Sequence, residues 1–88
     1  MTKTLTIINE KGLHARASAK FVETVESFDA QAEVSKDGMT VAGNSIMGLM
    51  MLAASKGCSI DVATTGEQAS ALADALETLV GDFFGEGQ

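Results

Sequence analysis

The chain's single imidazole, His14, lies in Gly-Leu-His-Ala-Arg-Ala-Ser over residues 12–18, with Arg16 two positions on. Gly12 provides a turn just before it, and the spacing of ARASAKFVETVESF, residues 15–28, predicts a helix. A histidine at that position is the N-cap. Beside it stand the backbone N–H groups of Ala15, Arg16 and Ala17, which have no intrahelical acceptor. The helix dipole adds about half a positive charge at that end, so the helix tip is a ready anion site. Such a field favours the neutral form of a nearby imidazole, whose nitrogen is then a nucleophile. Arg16 adds a permanent cation suited to phosphate oxygens. These residues suit a phosphoryl group carried on His14 through a labile P–N bond and exposed to another protein. They would equally serve a plain helix cap beside a solvated arginine.

A second candidate is Ser45, which opens Ile-Met-Gly-Leu-Met-Met-Leu-Ala-Ala. Residues 46–53 read as a short helix capped by Asn44 or Ser45, whose side-chain oxygen satisfies one orphan N–H. Leu49, Leu52 and Ala53 share one face and are expected in the core. Ile46, Met47 and Met50 lie on another face, either as further core or as an adaptable contact surface. Met51 has no assignment. Cys58 is the lone cysteine, so no intrachain disulfide forms, and it reads as a small, partly buried residue. One His and one distant Cys make no metal-ligand pattern.

The elements that must position these residues follow from periodicity. Residues 3–9 alternate through Leu5 and Ile7 as a strand, and 9–12 form a loop. Residues 31–36 and 39–43 flank Asp37-Gly38, a two-residue hairpin signal, since both central positions need positive φ. Lys56-Gly57 closes the short helix, and 59–64 alternate through Ile60 and Val62. Thr65-Gly66-Glu67-Gln68 reads as a capping box. From there Ala69, Leu72, Ala73, Leu76, Leu79, Val80 and Phe83 form one apolar helical stripe. The terminal Gly-Glu-Gly-Gln is expected to fray. The order strand, helix, two strands, helix, strand, helix makes a two-layer α+β domain. Its sheet is antiparallel or mixed, with helices on one face.

At 88 residues the chain is sized for one compact domain, 1–88, with a small core. Its 45% hydrophobic and 20% charged content is that of a globular chain. A net charge of −6, with Lys and Arg scattered, argues against nucleic acid as a partner. The longest apolar run, residues 46–54, is too short to insert through a membrane. MTKTLT has no apolar signal core, so a cytoplasmic location is expected. Nothing points to an oligomer, so a monomer is expected.

Gly12, Leu13, His14, Ala15 and Arg16 resemble the active-site motif of the histidine-containing phosphocarrier proteins (HPr) of the bacterial phosphoenolpyruvate-dependent phosphotransferase system. Ser45 to Met50 resembles that family's second motif, and length and element order match along nearly the whole chain. Ala17 departs from the pattern, because the family usually has Pro there. Alanine restores an N–H and loses some rigidity. The resemblance implies an open-faced β-sandwich, βαββαβα, with a four-stranded antiparallel sheet and three helices on one face. It implies that phosphorylated Enzyme I gives its phosphoryl group to Nδ1 of His14, which hands it to an Enzyme IIA protein or domain. Arg16 and the N–H groups of Ala15, Arg16 and Ala17 would stabilise that group. Ile46, Met47 and Met50 would dock partners, with Lys20 and Lys11 supplying positive charge. Ser45 would be the regulatory site that an HPr kinase phosphorylates in many relatives. Such a protein is a carrier, not an enzyme, and needs no cofactor. Three other readings stay open: a nitrogen-type regulatory branch that serves no sugar uptake, an interaction module controlled at Ser45 with His14 silent, and a small anion-binding domain.

Overall fold

Four short segments of alternating polarity pair into one antiparallel sheet in a computed structural model that describes residues 1–87. The strands are β1 (Thr2–Thr6), β2 (Gln31–Lys36), β3 (Met39–Ala42) and β4 (Ser59–Thr65), in spatial order β1-β4-β2-β3. Every neighbouring pair is antiparallel, which settles the antiparallel-or-mixed alternative. The register sets Leu5 opposite Ile60 and Val34 opposite Val62, so the inward apolar positions meet across strands. The opposite face is polar: Thr4 Oγ1 donates to Asp61 Oδ1 at 2.7 Å, and Ser35 and Thr40 hydroxyls bond at 2.8 Å.

Three helices cover the apolar face: α1 (Ala15–Glu26), α2 (Ile46–Met51) and α3 (Ala69–Gly81), followed by a 3₁₀ turn at Phe83–Gly85. The fold is therefore the open-faced sandwich. Phe21 and Leu49 from α1 and α2, Leu72 and Leu76 from α3, and Ile7, Val34 and Ile60 from the sheet side are all essentially excluded from solvent. Each such side chain stabilises the fold by about 1.5–3 kcal/mol relative to exposure. Asp37 and Gly38 have φ of 51° and 83°, as the hairpin requires.

Several boundaries differ from the sequence expectation, each for a local reason. Strand β1 stops at Thr6, although Ile7 still pairs, its N–H donating to Cys58 O and its carbonyl accepting from Gly57 N. Helix α1 stops at Glu26, two residues early, with Ser27 as its C-cap. Helix α2 stops at Met51, because Ala53 turns left-handed at φ 52°. Ala53 is consequently exposed, and Ala54 takes the expected core place beside Leu49 and Leu52. The capping box does not form. Thr65 stays in β4 opposite Gln31, and Gln68 is the N-cap of α3 without a side-chain cap bond. Its Oε1 instead accepts from Asp29 N at 2.6 Å, tying α3 to the loop after α1. The apolar stripe leaves the helix at Gly81, and fully buried Phe84 carries it on. Phe84 anchors the chain end, so at Gly85 and Glu86 the tail expected to fray is instead held, by backbone bonds to Asp82 and Phe83 and by the Glu86 side chain, while Gly87 is exposed. Gln88 lies outside the described residues.

Candidate functional site

Glycine at position 12 is what brings the histidine loop against the rest of the fold. Its φ is +63°, and a Cβ there would lie 2.3 Å from the Ala54 carbonyl oxygen and 2.8 Å from Ser55 Cα. Only a residue without a side chain permits that approach, which lets Leu13 N–H donate to Ala54 O at 2.9 Å. Fully buried Asn9 closes the same loop from within, donating from Nδ2 to Gly12 O at 2.9 Å. Buried Ser18 ties the first helical turn back, its Oγ donating to Leu13 O at 3.2 Å.

His14 is the N-cap of α1, with extended backbone, and its carbonyl accepts from Ser18 N at 2.9 Å. Nδ1 accepts from the Arg16 backbone N–H at 3.3 Å. The other ring nitrogen, Nε2, bonds to Glu86 Oε2. Glu86 is held in turn by Asn9, whose Nδ2 also donates to Glu86 Oε1 at 3.0 Å. The His14 side chain keeps 26% of its surface exposed and Glu86 keeps 12%. Burial pushes the Glu86 carboxyl up, but the bonds from Asn9 and His14, with the charges of His14 and Arg16, outweigh it. The net position is below the usual 4.5.

The other sequence candidates fall into three groups. Ala15 and Arg16 are exposed beside the ring, while Ala17 is wholly buried. The Arg16 guanidinium has no hydrogen bond or ion pair among the described residues. Lys20 is half-buried one turn on, and its Nζ lies beside Gly85 in the terminal turn. Ser45 caps α2, accepting from Gly48 N at 3.0 Å, which decides between it and Asn44. Ile46, Met47 and Met50 are 41%, 72% and 41% exposed, and Met51 is exposed with them. Met50 lines a shallow depression of about 290 Å³ with Lys11, Leu13, His14 and residues 53–55, so α2 and the histidine loop form one continuous surface. A larger hollow of about 520 Å³, lined by Val25, Phe28, Glu33 and Ala42 among others, contains none of the candidates.

Sequence reasoning missed Asn9 and Glu86. Asn9 stands in a short polar loop, and its depth is set by the fold around it. Glu86 stands between two glycines, which by composition marks a loose end.

A family model described as PTS HPr component phosphorylation site matches residues 1–82. The chain is similar to the phosphocarrier protein HPr of Neisseria meningitidis, at 46% identity over 88 residues, covering all of this chain and 99% of that protein. It is also similar to phosphocarrier protein HPr of Pseudomonas putida, at 49% identity over 85 residues, 96% of this chain and 94% of that one. Its fold superposes on the crystal structure of HPr-C-His from Thermoanaerobacter tengcongensis with a TM-score of 0.93 at 38% identity, covering 98% and 97% of the two chains. With the histidine motif at a helix tip, the open-faced sheet and whole-length similarity in agreement, the chain belongs to the HPr family of phosphocarrier proteins.

Proposed function

We propose that the chain is a phosphocarrier that takes a phosphoryl group from phospho-Enzyme I on Nδ1 of His14 and passes it to an Enzyme IIA protein or domain. The observation that carries this reading is the placement of Nδ1, turned toward the Arg16 backbone N–H at the open tip of α1. Attack by the Nδ1 lone pair on phosphorus forms the new P–N bond. The donor's P–N bond breaks, and its electron pair stays on the donor nitrogen. The Arg16 N–H then turns from the ring nitrogen to a phosphoryl oxygen, where a charge-assisted bond is about twice as strong as a neutral one. Arg16 swings its guanidinium onto the same group. The exposed residues Ala15 and Arg16 form the open part of the site, and Ala17 packs into the core.

Docking falls to the surface that joins this tip to α2. Ile46, Met47 and Met50 present exposed apolar surface, Met50 lining the depression beside the histidine loop with Lys11, and Lys20 on α1 would add positive charge. Adaptable methionines suit a carrier that must bind a donor and then an acceptor and leave each. Ser45 is the regulatory position on this reading. A phosphate there would replace the hydroxyl as acceptor for the Gly48 N–H and place a double negative charge at the docking surface. The helix would persist, and partner affinity would fall.

The test is intact-protein mass spectrometry after incubation with phosphoenolpyruvate, magnesium and Enzyme I. The wild-type chain should gain one acid-labile phosphate, and His14→Ala none. An unmodified wild-type chain, under conditions where the same Enzyme I loads another carrier, would overturn the relay reading.

A further inference from the structure

We propose that Glu86, held by Asn9, is a positioning residue for phosphoryl transfer that keeps the proton on Nε2 of His14 and so directs the phosphoryl group to Nδ1. The inference rests on the phosphocarrier reading and goes beyond it, because the family match ends at residue 82 and Glu86 lies past it. Three observations carry it. The carboxylate meets the ring on Nε2, the nitrogen facing away from the helix tip, while Nδ1 accepts an N–H and must therefore be unprotonated. The Glu86 side chain is mostly buried, and its second oxygen is fixed by fully buried Asn9, so its reach to the ring is held by the fold. The chain end is anchored by Phe84, fully buried and left-handed at φ 53°. A carboxylate that sets the tautomer of a reacting imidazole, and is itself oriented by another group, is a recurring way to prepare a nucleophile.

The charge balance gives Glu86 its role. A neutral ring with its proton on Nε2 attacks phosphorus through Nδ1. The donor's P–N pair leaves with the donor, and Nε2 keeps its proton, so the ring gains a formal positive charge. Glu86 faces that charge. When the phosphoryl group moves on, the P–Nδ1 electron pair returns to Nδ1 and the ring is neutral again. Loss of the Nε2 proton while the phosphoryl is bound would force the ring to leave as an anion and would make the bond slow to break. Among the described residues, the other charged groups placed near this pair are cations: Arg16 acts on Glu86, Lys11 lines the depression with His14, and Lys20 lies beside Gly85. Among the described residues, Glu86 is the carboxylate bonded to the ring.

The test uses the full chain, Glu86→Gln, and a chain ending at Gly85, each loaded with phosphoramidate, a small donor that phosphorylates imidazoles without a protein partner. As the chain has one histidine, phosphorus and nitrogen NMR report directly on its ring. The wild-type chain should carry phosphate on Nδ1 with the proton on Nε2. In both variants the pH midpoint of phosphate loss should fall by about one unit, and some phosphate should appear on Nε2. Equal thermal midpoints would separate this from unfolding. Coincident pH profiles and unchanged regiochemistry in all three chains would overturn the inference, even with Enzyme I loading His14 normally. If Enzyme I fails to load the wild-type chain but the profiles still separate, the relay reading falls and the role of Glu86 stands. If phosphoramidate does not load wild-type His14, both fall.

Discussion

Gly12→Ala should damage stability and the site together, and its cost can be worked out from the structure. At φ +63° an alanine pays the left-handed penalty of about 1–2 kcal/mol. Its Cβ would also stand 2.3 Å from the Ala54 carbonyl oxygen and 2.8 Å from Ser55 Cα, both backbone atoms. Neither yields as a side chain would, so the loop must move and the Leu13 N–H to Ala54 O bond is lost, at about 0.5–1.5 kcal/mol. The sum is about 1.5–3.5 kcal/mol, or roughly 6–28 °C in Tm for a chain of this size. Gly57→Ala is the control: φ is +93°, but nothing lies within 4 Å of the added Cβ, so it pays only the backbone part. Urea unfolding of the two variants measures the difference. Because the loop that moves carries His14, Gly12→Ala should also take up phosphate from Enzyme I more slowly, whereas Gly57→Ala should not. A Gly12→Ala chain no less stable than Gly57→Ala would refute the claim that close backbone approach fixes the histidine loop.

Three further outcomes are expected. Ser45→Ala removes the acceptor of the Gly48 N–H and should cost about 1 kcal/mol in urea unfolding, with His14 still phosphorylated; no change would mean the cap bond is not a net gain. Phe84→Ala should cost about 3–5 kcal/mol and detach the chain end, read as amide exchange at Gly85 and Glu86, whose N–H groups bond Asp82 O and Phe83 O, rising to that of an unfolded chain. Because the Glu86 carboxyl is held below 4.5 in the fold, its contribution is fully present above that value and is lost as pH falls through the lower, folded value. The Asn9 side-chain amide and Gly85 resonances should therefore shift together below 4.5, and a shared midpoint at or above 4.5 would contradict the bond.

Local signals were legible where the chain's near neighbours decide the outcome. Asp37-Gly38 makes its hairpin because both residues supply positive φ within the turn itself. His14 and Ser45 cap their helices because the capped N–H groups lie two and three residues on. Signals misled where a distant partner competed for the same residue. Thr65 and Gln68 have the spacing of a capping box, yet Thr65 is paired with Gln31 and the Gln68 amide bonds Asp29, 39 residues back. Ala53 and Ala54 are identical in type, and only the left-handed turn at Ala53 decides which one enters the core.

The same division runs through the candidate site. Its nucleophile and helix are local, and a seven-residue stretch suffices to point to them. What holds the far side of the ring is not local, since Glu86 lies 72 residues from His14 and 77 from Asn9. Glycines on either side of Glu86 suggest a loose end only until the burial of Phe84 is known, because that burial fixes where the last residues can go. A polar residue near a chain terminus therefore has no readable role until the core has closed. Here the core closes so as to place a carboxylate on the one ring nitrogen that the helix tip leaves free.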